Sequence, residues 1–368
     1  MTRSVVDSAP PDLAFKRVLV IRLSAIGDVV FASPLIDAIK RARPDAEVYW
    51  LAESTVAPLL QHHAGLRDLL IWPRDEWREL LRRGRLWRLS REVLSFRKKL
   101  RAHQFDLVLD VQGLLKSAVL AWMTGARTRI GFRSKEPTRW LLTQRIAKHL
   151  EPTVSSEYRG LAKYIGLETD DFSMTVPLSE GARKFAEQGH DGRPYVVFCP
   201  FTTRPQKHWP ETHWRSLAHT ALAEGWRIVV LGAPADRPAA GRIFAGQAVE
   251  SKVGACSLEE SAALVSQANL VIGVDTGLTH MGWAFSVPVV ALFGSTSPYR
   301  IVPDREGDIL YADLGCSPCR RRPTCGGAFD CMSALTPGAV IDAAQRYLST
   351  ESMTAPVLAS SEISDEGL

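Results

Sequence analysis

Short aliphatic runs alternate along this chain with longer segments in which apolar residues recur at helical spacing. Such runs, rich in Val, Ile and Leu, are typical of strands buried on both faces of a parallel sheet. The pattern predicts similar sets of strands in the two halves of the chain. They lie at 16–23, 48–52, 69–72 and 107–111, and then at 195–199, 227–231, 270–274 and 289–293.

Helices are predicted between these strands. One runs from the turn at 24–28 to about Arg43, where Pro44 helps to end it. Those of the second half are predicted at 209–224, 258–268 and 278–285. Because strands that alternate with helices favour parallel sheets covered on both faces, we expect two doubly wound, Rossmann-like α/β domains that face a central cleft.

The limits of the domains are predicted from changes in composition. The two halves are expected to join near 187–194. The predicted parts are a flexible leader at 1–16, a first domain at 17–187, a second domain at 188–349 and a polar, frayed tail at 350–368.

Composition excludes several classes of protein. With 368 residues, 46% of them hydrophobic and 23% charged, the chain is neither largely disordered nor fibrous. It has no apolar run of roughly 18 residues, and its first residues lack the features of a signal peptide. Six Cys residues are too few for a disulfide scaffold of this length, so we expect a cytoplasmic protein.

The charge is concentrated in one segment. The whole chain carries +5, a mild excess that does not indicate a nucleic-acid partner. Between Arg74 and Arg101, eleven basic residues stand against four acidic ones, with apolar residues such as Trp77 and Trp87 at near-helical spacing. Gly84 favours two shorter helices. The segment is suited to an anionic surface, or it is a solvated helix whose apolar stripe packs on a sheet, and both interpretations stay open.

Ligands of open parallel sheets bind beyond the carboxyl ends of the strands, so the loops that follow the strands are the candidate sites. After the first strand, Asp28 stands at the start of a helix as an N-cap or as a general base. After the strand at 107–111, Gly113 opens a helix and Lys116 lies in its first turn, where it favours a nearby anion or is simply solvated.

Two loops of the second half are suited to phosphate. The loop at 200–211 combines hydroxyls, backbone donors, Arg204 and Lys207, although a solvated polar loop would look the same. At 273–280 a strand leads through a glycine turn into a helix whose first N–H groups can bind an anion. Asp275 of this block either accepts from sugar hydroxyls or caps the helix. His280 has a plain interpretation as a hydrogen-bonded helix histidine.

Absent motifs narrow the chemistry further. The sequence has no Gly-x-Gly-x-x-Gly fingerprint and no P-loop, which disfavours a nicotinamide or flavin dehydrogenase and a P-loop nucleotidase. It has no Asp-x-Asp pair after a strand to hold a catalytic metal ion.

Three stretches together resemble the heptosyltransferases of glycosyltransferase family 9: LVIRLSAIGDVVFASPLIDAIKRARP, TTRPQKHWPE and GVDTGLTHMGWAFSVPVVALFGSTSP. DVQGLLKSA and GFRSKEP resemble heptosyltransferase I more than II. The resemblance implies a GT-B fold and an inverting, metal-independent transfer of heptose without a cofactor. It implies ADP-L-glycero-D-manno-heptose as donor and a Kdo, or first heptose, of the lipid A inner core as acceptor.

The resemblance also implies roles for particular residues. Asp28 falls on the family's general base, and Lys207 is expected to stabilise the leaving ADP. Asp236 stands where the family usually has Glu, and Lys135 where the first type has Arg. The donor contacts are Thr202, Thr203, Lys207, Asp236, Asp275, Thr276, Gly277, Leu278 and His280, and the acceptor contacts are Gln112, Gly113, Lys116, Arg133 and Lys135. The acceptor and the basic segment together imply a peripheral protein on the anionic inner face of the inner membrane.

Alternatives remain at this stage. An epimerase of nucleotide sugars with the same fold, or a lipopolysaccharide-binding protein without catalysis, would share much of the pattern. Four cysteines within sixteen residues are either a metal site, reduced thiols or a disulfide, and they are Cys316, Cys319, Cys325 and Cys331.

Overall fold

A computed structural model of the chain describes residues 14–149, 151–188, 194–299, 301–303, 305–320 and 322–348. The chain divides into two compact units. The first comprises Met1–Leu178 and Tyr299–Asp304, and the second comprises Ser179–Pro298 and Arg305–Leu368. The second unit therefore begins ahead of the predicted limit at 187. The predicted leader up to residue 13 and the predicted tail at 350–368 lie outside the described residues.

The first unit contains a six-stranded parallel sheet in the order β3-β2-β1-β4-β5-β6. Its strands are β1 Arg17–Ile21, β2 Glu47–Ala52, β3 Leu66–Ile71, β4 Leu107–Asp110, β5 Thr128–Phe132 and β6 Gln144–Ile146. Its helices are α1 Ile26–Ala32, α2 Pro34–Ala42, α3 Arg74–Arg82, α4 Leu86–Ala102, α5 Leu115–Met123 and α6 Ser156–Tyr164.

The second unit contains another six-stranded parallel sheet, in the order β12-β11-β10-β7-β8-β9. Its strands are β7 Val196–Cys199, β8 Ile228–Val230, β9 Glu250–Ser251, β10 Leu270–Val274, β11 Val289–Phe293 and β12 Gly307–Tyr311. Its helices are α7 Glu180–Gln188, α8 Glu211–Ala223, α9 Arg237–Ile243, α10 Leu258–Ser266, α11 Gly277–Ala284, α12 Asp330–Ser333 and α13 Pro337–Gln345.

Both sheets have the same topology. When the strands of each unit are numbered from its own first strand, each sheet is ordered 3-2-1-4-5-6. In this arrangement the direction of strand progression reverses between the first and fourth strands, and a ligand crevice opens there. The loops after β1 and β4, and those after β7 and β10, are therefore the loops best placed to carry a site.

The central strands form because their residues are apolar on both faces. All five residues of β10 and of β11 are buried, and β1 is buried from Val18 onward. Helices cover these faces, and Trp209 and Trp214 pack into the core of the second unit. The predicted strands are confirmed, β10 and β11 to the residue. The helix predicted from Asp28 to Arg43 is two helices, because the chain turns at Ser33 and Pro34 starts α2.

The basic segment forms two helices, α3 and α4, and Gly84 lies between them with a φ of +66°. Phe96 and Leu100 of α4 are buried in the core of the first unit. Other apolar side chains of the segment are exposed to solvent, and they are Leu81, Leu86, Trp87 and Leu94. One stripe thus packs inside while a second faces water beside the arginines. Among the described residues, no helix is both long enough and apolar enough to cross a bilayer.

Candidate active site

In the first unit, Asp28 lies in the first turn of α1 and pairs with a buried arginine. The Arg22 guanidinium bonds the Asp28 carboxylate through Nη2, and its Nη1 donates to the Val111 carbonyl at 2.8 Å. The Arg22 side chain is almost fully buried, whereas that of Asp28 is 43% exposed. Burial alone lowers the pKa of Arg22, but Tyr158 and Asp28 outweigh it and raise the pKa above its ordinary value. Asp28 is therefore a carboxylate held in place by a permanent cation and open to solvent.

The loop after β4 is fixed to the loop after β1. The Asp110 carboxylate accepts the backbone N–H groups of Gln112 and Gly113 at 3.1 and 3.2 Å. This turn directs the Gln112 side-chain oxygen to the backbone N–H of Leu23 at 2.9 Å. Burial raises the pKa of Asp110 to about 6, although hydrogen bonds to Ser117 and to the turn oppose the rise. Gln112, predicted to contact the acceptor, thus braces the segment that leads to Asp28.

Gly113 adopts a φ of +70°, in the left-handed region that favours glycine. Lys116 follows in the first turn of α5, and its Nζ lies 3.0 Å from Glu53 at the end of β2. Arg74 bonds the other oxygen of Glu53, also at 3.0 Å. The anion that Lys116 favours is therefore a protein carboxylate in this structure. The remaining predicted acceptor residues, Arg133 and Lys135, have exposed side chains in the loop after β5.

In the second unit, Lys207, Asp275 and His280 come together. The Lys207 Nζ lies 2.5 Å from Asp275 Oδ2 and 3.3 Å from the Asp275 carbonyl oxygen. The His280 Nε2 lies 3.0 Å from Asp275 Oδ1, and the Thr296 hydroxyl donates to Oδ2. These residues lie in the segments that follow β7, β10 and β11, with His280 in α11, so three adjacent strands bring them to one place.

Asp275 is a buried carboxylate, only 13% exposed, that is kept ionised by its neighbours. Burial on its own would raise its pKa, but the hydrogen bond and charge of His280, together with Lys207, hold the pKa well below the usual range. A carboxylate has about four lone-pair positions. Among the described residues, Lys207, Thr296 and His280 occupy three of these positions and leave one on Oδ1 for another donor.

The N-terminus of α11 adjoins this cluster. Thr276 is its N-cap residue and makes no side-chain capping bond, and Gly277 and Leu278 begin the helix. A helix start of this kind offers backbone N–H groups and the positive end of a dipole to an anion. The loop after β7 also carries Thr203, which is exposed, and Thr202, whose carbonyl bonds the His208 ring at 2.8 Å.

Asp236 lies apart from the ion-paired cluster, after β8. Its carboxylate accepts the backbone N–H of Ala233 at 2.8 Å and so caps a short helical turn. This bond uses one of the two acceptor positions of one carboxylate oxygen.

Four residues that contribute here are missing from the sequence prediction: Arg22, Glu53, Asp110 and Thr296. Three of them had a detectable signal, because Glu53, Asp110 and Thr296 lie at or just after the carboxyl end of a buried strand. Arg22 is a charged residue in an otherwise aliphatic stretch, and such a residue needs a partner when the stretch is buried.

The cysteine cluster shows no metal geometry. Cys316, Cys319, Cys325 and Cys331 are free thiols. Within the part of the chain that the structure describes, no three His, Cys, Asp or Glu side chains are arranged to hold a metal ion. Burial raises the pKa of the Cys331 thiol, which favours its protonated form.

Two Rossmann-like sheets with polar clusters at their switch points are the architecture of the GT-B fold class. The sequence pattern of glycosyltransferase family 9 (heptosyltransferase) matches residues 93–328. The lipopolysaccharide heptosyltransferase 1 of Pseudomonas aeruginosa is 31% identical over 317 residues, which cover 84% of this chain and 87% of that protein. Its Escherichia coli K12 counterpart is 30% identical over 77% of this chain and 89% of that protein.

Solved structures of family 9 transferases are also similar to this chain. The E. coli heptosyltransferase WaaC with ADP superimposes with a TM-score of 0.71 at 27% identity, covering 90% of this chain and 100% of that one. A family 9 glycosyltransferase from Veillonella parvula gives a TM-score of 0.75 at 19% identity, covering 92% and 99% of the two chains. The chain belongs to glycosyltransferase family 9, the heptosyltransferases. The predicted family and GT-B fold class are confirmed, as is the greater similarity to the first type.

Proposed function

We propose that this protein transfers a heptose from ADP-L-glycero-D-manno-heptose to a Kdo, or first heptose, of the lipopolysaccharide inner core, with inversion and without a metal ion. Relatives named lipopolysaccharide heptosyltransferase 1 support this, as does the similar WaaC structure with ADP-2-deoxy-2-fluoro heptose. The observation that carries the proposal is the Lys207–Asp275–His280 cluster beside the start of α11.

The donor is proposed to bind the domain at 188–349. A pyrophosphate would accept hydrogen bonds from the backbone of Thr276, Gly277 and Leu278 and from the hydroxyls of Thr202 and Thr203, since these groups are the donors of the strand-end loops. Asp236 would accept from the ribose. The free position on Asp275 Oδ1 would accept a hydroxyl of the heptose, because a carboxylate that is already ionised and fixed costs little to orient.

Lys207 is proposed to stabilise the negative charge that develops on ADP as the sugar bond breaks. The Lys207 side chain is 14% exposed, so water screens its charge weakly. A cation and a helix N-terminus together supply what a divalent metal ion supplies in other transferases. Asp275 and His280 would keep the Lys207 ammonium in position until the donor arrives.

The acceptor is proposed to bind the domain at 17–187, with Asp28 as the general base. Asp28 would take the proton from the acceptor hydroxyl while that oxygen attacks the anomeric carbon and ADP leaves with the electron pair of the broken bond. Arg22 would hold the carboxylate in one orientation. The anionic acceptor would be contacted by Gly113, Lys116, Arg133 and Lys135. Gln112 would contribute by holding the segment before Asp28 through its hydrogen bond with the Leu23 N–H.

We also propose that the protein works in the cytoplasm, on the inner face of the inner membrane. The support is the basic pair of helices α3 and α4, whose arginines surround exposed Leu81, Trp87 and Leu94. Apolar side chains that enter the interface beside cations are the usual means of binding an anionic leaflet.

One incubation tests the reaction. ADP-heptose and Kdo2-lipid A are mixed with the protein, with and without a chelator, and the products are weighed by mass spectrometry. We expect a heptose increment on the acceptor that the chelator does not reduce. An altered donor alone would indicate an epimerase, and no change in either compound would indicate a binding protein.

Two variants test the proposed roles. Asp28→Asn is expected to lower turnover by about 10²-fold or more while ADP affinity by calorimetry stays unchanged. Lys207→Ala is expected to weaken ADP binding at least tenfold. Asp45→Asn and Lys184→Ala change exposed residues of the same types and serve as controls. Near-normal turnover of the first variant, or unchanged ADP binding by the second, would remove that residue from its role.

A further inference from the structure

An apolar groove lies on the first unit, between α3, α4 and α5. Its volume is about 580 Å³, within the range of roughly 300–1,000 Å³ that is typical of small-molecule sites. The lining residues that carry the argument are Trp72, Trp77, Val93, Lys116, Val119 and Met123.

One wall of the groove is rigid and aromatic. The rings of Trp72 and Trp77 meet edge to face with centroids 6.0 Å apart, and Trp77 meets Phe96 in the same way at 5.6 Å. Because Phe96 is buried in the core, this wall is anchored from behind. This wall is therefore built from side chains that pack against the core.

The opposite wall is formed by α5 and leaves apolar atoms in water. Val119 is 36% exposed, and Leu115, one turn earlier, is exposed to a similar extent. Continuous apolar surface in a concave site usually has an occupant, since its exposure to water is unfavourable.

Charge at the groove limits what the occupant can be. Lys116 and Glu136 both line the groove, so its charged lining residues are one cation and one anion. The Lys116 Nζ lies 5.6 Å from the centre of the Trp72 ring. Arg74, which shares Glu53 with Lys116, begins the basic helices α3 and α4. These charges balance, because Glu53 and Glu136 stand against Lys116 and Arg74, so the groove itself suits an uncharged apolar chain. An anionic head on that chain would lie outside the groove, beside Lys116 and Arg74.

Position links the groove to the acceptor. Lys116 lines the groove and lies in the first turn of α5, directly after the loop that carries Gln112 and Gly113. A ligand in the groove would therefore be continuous with one at the carboxyl end of β4.

We propose that the groove binds one acyl chain of the lipid acceptor and so helps to place the sugar head for reaction. This inference rests on the proposed function, because it takes the acceptor to be an acylated, anionic glycolipid. The groove adds affinity for the chain and leaves the chemical step to the residues of the strand-end loops.

Kinetics with two acceptors test it. Val119→Asp and Val119→Trp are compared with the wild type on Kdo2-lipid A in detergent micelles and on the fully deacylated sugar. The first variant places a charge in the groove, and the second fills it without any change of charge. Both are expected to raise KM for the acylated acceptor at least tenfold, with KM for the deacylated acceptor unchanged within about twofold; a tenfold rise corresponds to about 1.4 kcal/mol.

A matched control lies on the same helix. Trp122 of α5 is 43% exposed but does not line the groove. Trp122→Asp introduces the same charge at similar exposure, and it should leave both KM values unchanged. If it raised KM as much as Val119→Asp did, general repulsion of the anionic lipid would explain the effect and the proposal would be overturned.

Other outcomes also decide the question. Unchanged KM for the acylated acceptor in both Val119 variants, or an equal rise for both acceptors, would overturn the proposal. Loss of binding to phosphatidylglycerol vesicles without a change in KM would assign the groove to bilayer lipid instead. If the wild type transferred heptose to neither acceptor, the proposed function itself would fail. If the wild type were active and the Val119 variants had the same KM values, only the proposal about the groove would fail.

Discussion

The buried carboxylate of Asp110 predicts a specific dependence of stability on pH. Its pKa is about 6 in the folded protein, against an ordinary value of 3.8. The folded state therefore binds more protons than the unfolded state between these values, so stability falls as pH rises through them. The whole span corresponds to about 3 kcal/mol at 1.36 kcal/mol per pH unit.

Asp110→Asn isolates this contribution. The Asn side-chain oxygen can still accept the backbone N–H groups of Gln112 and Gly113, so the turn is expected to persist. The substitution removes the titration, and any fixed cost of the new amide is the same at every pH. About 1.4 kcal/mol of the span lies between about pH 5 and about pH 7.5. As the pH rises over that interval, the free energy of unfolding of the variant should therefore increase by this amount relative to that of the wild type.

The assay is urea unfolding of the intact chain, followed by tryptophan fluorescence at the two pH values. With two compact units, the transition assigned to the first unit is the one to compare. Asp45→Asn, at an exposed site, controls for the general effect of removing a carboxylate. A difference between Asp110→Asn and the wild type that stays constant within about 0.3 kcal/mol would refute the argument, because burial would then not perturb this group.

Two further predictions concern positioning and packing. Arg22→Gln should lower turnover at least tenfold with unchanged ADP affinity, since Arg22 orients Asp28 in the first unit whereas the proposed donor loops belong to the second. An equal loss of affinity in ADP calorimetry would contradict this. Gly273→Ala should lower stability by about 1–3 kcal/mol or more, because its Cβ would lie 2.1 Å from Thr279 Oγ1 and 2.7 Å from Cys199 Cβ. Gly241→Ala, a helical site with open space around the new Cβ, is the control, and equal thermal midpoints for the two variants would refute the steric argument.

The sequence allowed the central strands to be predicted because they are continuous apolar runs. Strands β5, β6, β9 and β12 were missed, and they are more polar and partly exposed at the outer parts of the sheets. Such strands are fixed by pairing with a neighbour, which a local pattern does not contain.

The site was predictable only in part, because a local pattern shows which residues follow a strand but not which strands are neighbours. The strand-end rule selected Lys207 and Asp275 separately, but their ion pair depends on β7 and β10 being neighbours. Asp275 was expected to meet sugar hydroxyls, and the structure adds the Lys207 and Thr296 contacts. Gln112 was chosen for its loop, and only the fold reveals that its side chain bonds the backbone before Asp28.

The excursion of the chain at Tyr299–Asp304 has a consequence for biosynthesis and for dissection of the enzyme. This piece belongs to the first unit, where Tyr299 meets Phe31 edge to face at 5.5 Å and Ile301 bridges Thr153. Most of the second unit must therefore be synthesised before the first unit can complete its fold. A truncation after Leu178 would leave the first unit incomplete.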